Sequence, residues 1–447
     1  MKLMKIYAPW ERAFERVSTP FEEFIHAQTT TGLILMLMTV IALVLANSPF
    51  AEAYIHLFHT KIDIFIGSSG ISKSIHHWIN DGLMAVFFFI IGLEIKREVL
   101  IGELSNIKVA ILPILSAVGG MLLPALIYYG INVGQEGANG WGVPMATDIA
   151  FAISALVLLR ERVSASLVTF LVALAIVDDL GAVVVIALFY TDQINLLPLG
   201  MSFLSFLVLV SFNRFGIHTW LPYFVVGFIM WLFMLESGIH ATIAGVIAAM
   251  ALPSKPKYPP VDFSRHARNR LDEYDNYPVA TDHTMHEKQK AILQNIKDKI
   301  DAVSSPSARL EHSLHLPVSL VIIPLFALAN AGISIDFSSI SDIIMKPVSI
   351  GIIAGLIFGK VIGIAGVAWL AIKLGIAKLP QNSSMSQIWG VAFLGGIGFT
   401  MSIFIADLAF AGNDSLIFQA KTGILCASLL AGLIGFVWLK YVAKADN

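Results

Sequence analysis

The chain has 447 residues, of which 57% are hydrophobic and 13% charged, with a mean hydropathy of +0.78 and a formal net charge of −2. A water-soluble domain carries about 25% charged residues, so most of this chain faces something other than water, and the near-neutral balance gives no basic footprint for nucleic acid. The single cysteine, Cys426, excludes an intrachain disulfide and a cysteine metal site and reads as a small buried hydrophobe.

Residues 1–30 mix Lys2, Lys5, Arg12 and Arg16 with Glu11, Glu15, Glu22 and Glu23. That is no signal-peptide pattern, and the segment is expected to lie in the cytoplasm. A membrane span needs about 20 mostly apolar residues. Such runs occur near 31–47, 80–95, 108–130, 145–159, 166–190, 196–212, 219–235, 239–252, 315–333, 347–372, 388–407 and 419–440. Two of them, 145–159 and 239–252, are short for a full crossing. The expected fold is an all-α polytopic membrane protein of about twelve transmembrane helices. Spans one to eight fill 31–252, a cytoplasmic loop covers 253–311, spans nine to twelve fill 312–440, and a tail covers 441–447. Lys and Arg concentrate on the side of the two termini, which places both in the cytoplasm by the positive-inside rule. Lys360 is left as the one basic residue inside a span.

Between the first two spans, Ile62, Ile64 and Ile66 alternate ahead of Gly67, Ser68, Ser69 and Gly70. This predicts a strand and a turn, and an exposed strand edge can pair with a second copy of the chain, so a homodimer is expected. The 253–311 loop holds Pro253, Pro256, Pro259 and Pro260 and many charges. Within it, Ile292, Ile296, Ile300 and Val303 fall at helical spacing, predicting a short amphipathic helix over 287–303 on the membrane surface or on the bundle.

The chemistry is expected where charge lies inside apolar helix. A charge at the bilayer centre costs about 2.5–3.5 kcal/mol on insertion scales. Asp148, Asp178, Asp179 and Lys360 would together cost roughly 10 kcal/mol unpaired. One structural ion pair explains one aspartate with Lys360 and leaves two carboxylates over. Asp178 and Asp179 are helix neighbours, so their side chains point about 100° apart. One is expected to meet the transported ion, the other Lys360 or a proton. Two spans look interrupted: Gly140, Gly142 and Pro144 precede Thr147-Asp148, and Gly395, Gly396 and Gly398 precede Phe399-Thr400. Glycine and proline at that density disfavour continuous helix, and unwound backbone survives at membrane depth only where it lines a cavity. Asp148 could then balance the positive N-terminal ends of broken helices, and Lys360 the negative C-terminal ends. Spans three to five and ten to twelve are expected to form an inverted repeat, with the two interrupted segments as equivalent members.

ATDIAF (146–151), LAIVDDLGAVVVIALFYT (174–191), WINDGLMAVFFFIIGLEIKRE (78–98), SGIHATIAGV (237–246) and GGIGFTMSIFIA (395–406) resemble the NhaA family of bacterial sodium/proton antiporters. That family is itself among the examples from which inverted repeats and broken crossing helices are known. The resemblance implies roles. Asp179 is the main cation ligand, Asp178 its neighbour that also pairs with the membrane lysine, and Lys360 that lysine. Asp148 and Thr147 stand at the crossing of the broken helices and join Asp178 and Asp179 in ion binding and proton exchange. Glu94, Glu98, Glu311 and His312 form a cytoplasmic pH-sensing cluster, and Asp81 is an acidic residue near the outer end of the second span. It further implies electrogenic exchange of cytoplasmic Na+ or Li+ for external H+ in the bacterial inner membrane, with no cofactor. The 253–311 loop looks longer than is usual in the family. Among other functions, an intramembrane aspartyl protease would need a Gly-x-Gly beside one aspartate, which neither Asp148 nor Asp179 has. Three carboxylates against one lysine favour a cation over an anionic cargo.

Overall fold

The computed structural model describes residues 28–66, 69–159, 162–191, 194–277, 285–334 and 340–443. Nearly all of the expected N-terminal segment and most of the tail lie outside these residues, as does the turn at 67–68. The chain is an all-α membrane protein apart from one hairpin among the described residues. Its main helices are α1 (Gln28–Ala46), α2 (Ala51–His59), α3 (Ile75–Leu100), α4 (Ile107–Asn132), α5 (Ile149–Val157), α6 (Ala165–Phe189), α7 (Leu196–Arg214), α8 (Trp220–Glu236), α9 (Thr242–Ala251), α10 (Pro260–Asp275), α11 (Glu287–Val303), α12 (Pro306–Asn330), α13 (Pro347–Lys373), α14 (Met385–Leu394), α15 (Phe399–Ala409) and α16 (Asp414–Val442). Strand β1 (Lys61–Ile66) pairs antiparallel with β2 (Ser69–Ser74), Ile62 opposite Lys73 and Ile64 opposite Ile71.

Every run expected to span is helical, yet membrane-crossing length is met by fewer than twelve. Among the described residues, eight helices are long and apolar enough, or ten if each of two bent pairs is one span. The runs at 219–235 and 239–252 form shorter helices, α8 and α9. The first run does not end at residue 47 but turns by 112° into α2. Asn47, Ser48 and Pro49 intervene, and proline disfavours helical geometry for its predecessor.

The chain divides into two compact units. The larger comprises residues up to Met84, Glu98–Thr191 and Leu316 onward. In it α4 packs against α6, α13 and a 3-10 helix over Glu136–Met145, while α16 packs against α13, α14 and α15. Two triplets share one plan, a long helix, an interrupted segment and a second long helix. They are α4, the 3-10 helix with α5, and α6; then α13, α14 with α15, and α16. Close approach of α4 and α13 requires glycine on both, because a Cβ on Gly363 would lie 2.2 Å from the Gly119 carbonyl oxygen. Beside this crossing, α13 adopts wider π-helical turns at Gly355–Gly359 and Ile362–Gly366, on either side of Lys360. Such turns are common at functional positions. In their most apolar stretch, 61% of residues are buried in α13 and in Glu136–Val157, against 22% in α7. The interrupted segment and the lysine helix are therefore interior elements, and α7 shows its apolar side outward.

The smaller unit holds Ala85–Arg97 and Asp192–His315. Helices α7, α8 and α9 pack together, and α10 packs on α11. The expected helix over 287–303 is α11, started by a capping box of His286 and Gln289. Its stripe is only partly covered, with Ile292 buried and Ile300 half-exposed. Helix α10 was not expected, since its sequence carries no continuous apolar stripe. Helix α12 begins at Pro306, so the expected boundary between loop and span at 311/312 falls inside a helix.

Candidate functional site at the crossing of two broken helices

Both interrupted segments break where glycine, proline and threonine cluster. The first leaves its 3-10 turns at Met145 and runs extended through Ala146 until α5 starts at Ile149. The second ends at Leu394 and resumes at Phe399 with a 48° bend. The breaks meet. The Asp148 amide donates to the Ile397 carbonyl at 2.6 Å, and the Ser402 hydroxyl donates to the Val143 carbonyl at 2.8 Å. Backbone groups freed by each break thus find partners in the other, as buried polar groups must.

Asp148 is buried and shared between two helix starts. Its Oδ1 accepts the Phe151 amide at 3.1 Å, capping its own helix α5. Its Oδ2 accepts the Thr400 amide at 3.0 Å and also the Thr400 hydroxyl. A carboxylate facing two positive helix ends is favourable on both counts. Lys360 makes its hydrogen bond to a carboxylate rather than to the carbonyl of a helix end. Its ammonium, fully buried, pairs with Asp178 Oδ2 at 2.5 Å. The carbonyl at the C-terminal break, that of Gly395, instead faces the Thr147 hydroxyl at 2.9 Å. That same hydroxyl lies 2.7 Å from Asp178 Oδ2. One hydroxyl has one proton, so Thr147 donates either to the carboxylate or to the carbonyl.

Helix α6 delivers both central aspartates. It is capped by Ser164, whose hydroxyl accepts the Leu167 amide, and both Asp178 and Asp179 are 1% exposed. Asp178 keeps one oxygen, Oδ1, buried with no hydrogen-bond partner. A buried carboxylate half satisfied by an ammonium is held in place while retaining acceptor capacity for a cation or a proton. Thr400 was not singled out from sequence as a site residue, although its position at the second break mirrors that of Thr147 at the first. The breaks themselves were the signal.

The family described as Na+/H+ antiporter 1 matches residues 22–439. The chain belongs to that antiporter family. A relative named Na(+)/H(+) antiporter NhaA from Sulfurimonas denitrificans is 76% identical over 444 residues, covering 99% of this chain and 100% of the relative. Na(+)/H(+) antiporter NhaA 1 of Saccharophagus degradans is 48% identical over 96% of this chain and 93% of its own length. The antiporter NhaA of Dichelobacter nodosus is 45% identical over 98% and 96%. These antiporters are matched nearly end to end, so the long 253–311 segment is no departure from relatives of this kind.

The other residues that the family resemblance picks out lie elsewhere. Asp81 is half-buried in a π turn that opens α3. Glu98, at the far end of α3, accepts the Glu103 amide at 2.9 Å. In the smaller unit, Glu94 is half-buried and His312 exposed. Glu311 is buried and bound to Arg97 at 2.5 Å. Arg97 was missed from sequence because nothing local shows which of the charges in KRE (96–98) turns toward α12. Its neighbour Lys96 caps α9, donating to the Met250 carbonyl at 2.8 Å and the Leu252 carbonyl at 2.5 Å. Lys360 is also not the one basic residue inside a span. Lys421, in α16, is buried and pairs with Asp407 of α15 at 2.9 Å. Their places near the ends of apolar runs disguised them as loop charges.

Proposed function

We propose that the chain exchanges Na+, and also Li+, for H+ across a bacterial inner membrane, with both termini in the cytoplasm, carrying more protons inward than sodium ions outward. The observation that carries this reading is the buried Asp178–Lys360 pair beside Asp179 at the crossing of two broken helices. Its support in kinship is the names of relatives matched over nearly the whole chain. Sodium is a hard cation suited to oxygen ligands. Asp179, Asp178 Oδ1 and the Thr147 hydroxyl offer oxygens of this kind. A carboxyl in a poorly hydrated site holds its proton more tightly than in water, so protons and Na+ compete for the same groups, and Lys360 competes with the cation for Asp178. Asp148, engaged by three donors, holds the crossing together. Alternating access follows from rocking of helices around a fixed site, a scheme drawn in part from this family. Glu94, Glu98, Glu311 and His312 serve pH control, and the protein works as a homodimer with no cofactor.

The test is dissipation of a pH gradient in everted membrane vesicles on addition of Na+. The unaltered protein should respond in the neutral to alkaline range. Asp179→Asn should abolish the response and Lys360→Ala should weaken it. No response to Na+ or Li+ at any pH, with protein shown in the membrane, would sink the reading.

A further inference from the structure

We propose that Asp407, together with Lys421, forms a second binding site for the transported cation, on the external side of the helix crossing. The proposal rests on the exchange reading and its orientation, and concerns residues outside the crossing site.

The first observation is a repeated arrangement. Asp178 gives Oδ2 to a buried ammonium and keeps Oδ1 buried without a hydrogen bond. Asp407 does the same, with Oδ1 on the Lys421 ammonium at 2.9 Å and Oδ2 buried without a hydrogen bond. Both side chains of the second pair are 11% exposed. A pair serving only to clip α15 to α16 is poorly explained. Buried ion pairs can often be replaced by apolar residues at no loss of stability, and a clip gains nothing from an orphaned oxygen, which is rare in buried polar groups. The two helices are already joined through Phe410–Asn413 and packed along their lengths.

The second observation is position. Asp407 stands seven residues after Thr400 on α15, about 10 Å along the helix axis at 1.5 Å per residue. The displacement runs toward the α15–α16 link, which the orientation places outside. The surroundings are polar at this level. His76 at the start of α3 feels the charges of both Asp407 and Lys421 and bonds Asn330 at 2.9 Å. Asn330 and Asn80 exchange hydrogen bonds at 2.8 and 3.3 Å. A cation leaving the crossing toward the outside thus meets a carboxylate with an open oxygen in a polar layer, within the last turn of α15. Among the described residues no three His, Cys, Asp or Glu side chains converge here or elsewhere, so the site is no cage. It is a way station, where Na+ displaces the lysine from one carboxylate and is held weakly enough to leave, as a conduction path requires.

The experiment measures the half-saturating Na+ concentration for exchange from each face, in right-side-out and in everted vesicles. Asp407→Asn should raise it about tenfold at the outer face, as expected for losing one charged ligand, and leave the inner face unchanged. Lys421→Gln, which removes the competitor, should lower it at the outer face. An unchanged outer-face value in Asp407→Asn, or an equal shift at both faces, overturns the proposal and leaves a structural clip. Should Asp407→Asn fail to reach the membrane, Lys421→Gln decides. A lowered outer-face value supports the site, and an unchanged or raised one overturns it. A lack of exchange by the unaltered protein is a separate result that sinks the exchange reading itself.

Discussion

Asp178, Asp179 and Asp148 look alike as buried aspartates, yet their surroundings divide the work among them. Asp148 has three donors and caps two helix starts, so its substitutions should report on architecture first. Asn is as good a helix cap as Asp, whereas Ala costs about 1 kcal/mol at one cap. Asp148→Ala should therefore lower the melting temperature in detergent clearly more than Asp148→Asn. Asp178 is different because its one charged partner is an ammonium, beside the Thr147 hydroxyl. Removing one member of a buried ion pair leaves an uncompensated charge and costs about 3–5 kcal/mol. Lys360→Gln should show that loss in thermal unfolding. The double variant Asp178→Asn/Lys360→Gln should recover most of the stability without restoring the exchange of the unaltered protein. A double variant no more stable than Lys360→Gln would show that the pair is not the source of the loss.

At the level of elements, much of the site was legible in sequence, because its cost shows in composition. A carboxylate pair in an apolar helix and glycine-rich breaks in two spans stand out without any structure. What was not legible is which freed group meets which. The Ile397 carbonyl and Thr400 gain their roles from the meeting of segments some 250 positions apart, and Arg97, Asp407 and Lys421 gain theirs from helix packing. Helix α10 escaped notice because it is charged along most of its length, and α2 because it follows a proline break. The glycines of the α4–α13 crossing were readable as glycines but not as contacts. Gly363→Val should force the helices apart beside Lys360, since even a Cβ would sit 2.2 Å from a carbonyl oxygen. Melting temperature and exchange should both fall. Gly130, near the end of α4, has nothing within 4 Å of a built Cβ. Gly130→Ala should leave exchange intact and raise stability by up to about 1 kcal/mol, the helical advantage of alanine. Equal effects of the two substitutions would show that close approach does not govern the crossing.

For the whole molecule, the hairpin is the one β-sheet among the described residues, and so the place where another chain could add a strand. A two-stranded sheet has two edges, and an isolated hairpin is at best marginally stable in water. Pairing with the same hairpin of a second copy would give a four-stranded sheet and cover one edge of each. The hairpin can be removed with little disturbance, because its two ends already meet, the Ile75 amide donating to the Thr60 carbonyl at 2.9 Å. Replacing Lys61–Lys73 by two glycines keeps Ser74, which caps the start of α3 by accepting the His77 amide. This shortened chain should still exchange Na+ for H+ per molecule of protein, since the crossing site lies in helices that the excision leaves intact. Its mass in mild detergent, measured by light scattering or native mass spectrometry, should fall from dimer to monomer. A shortened chain that remains dimeric would move the interface to the apolar helix faces and leave the hairpin a lid on its own chain, whereas a full-length chain that is monomeric would remove the dimer altogether.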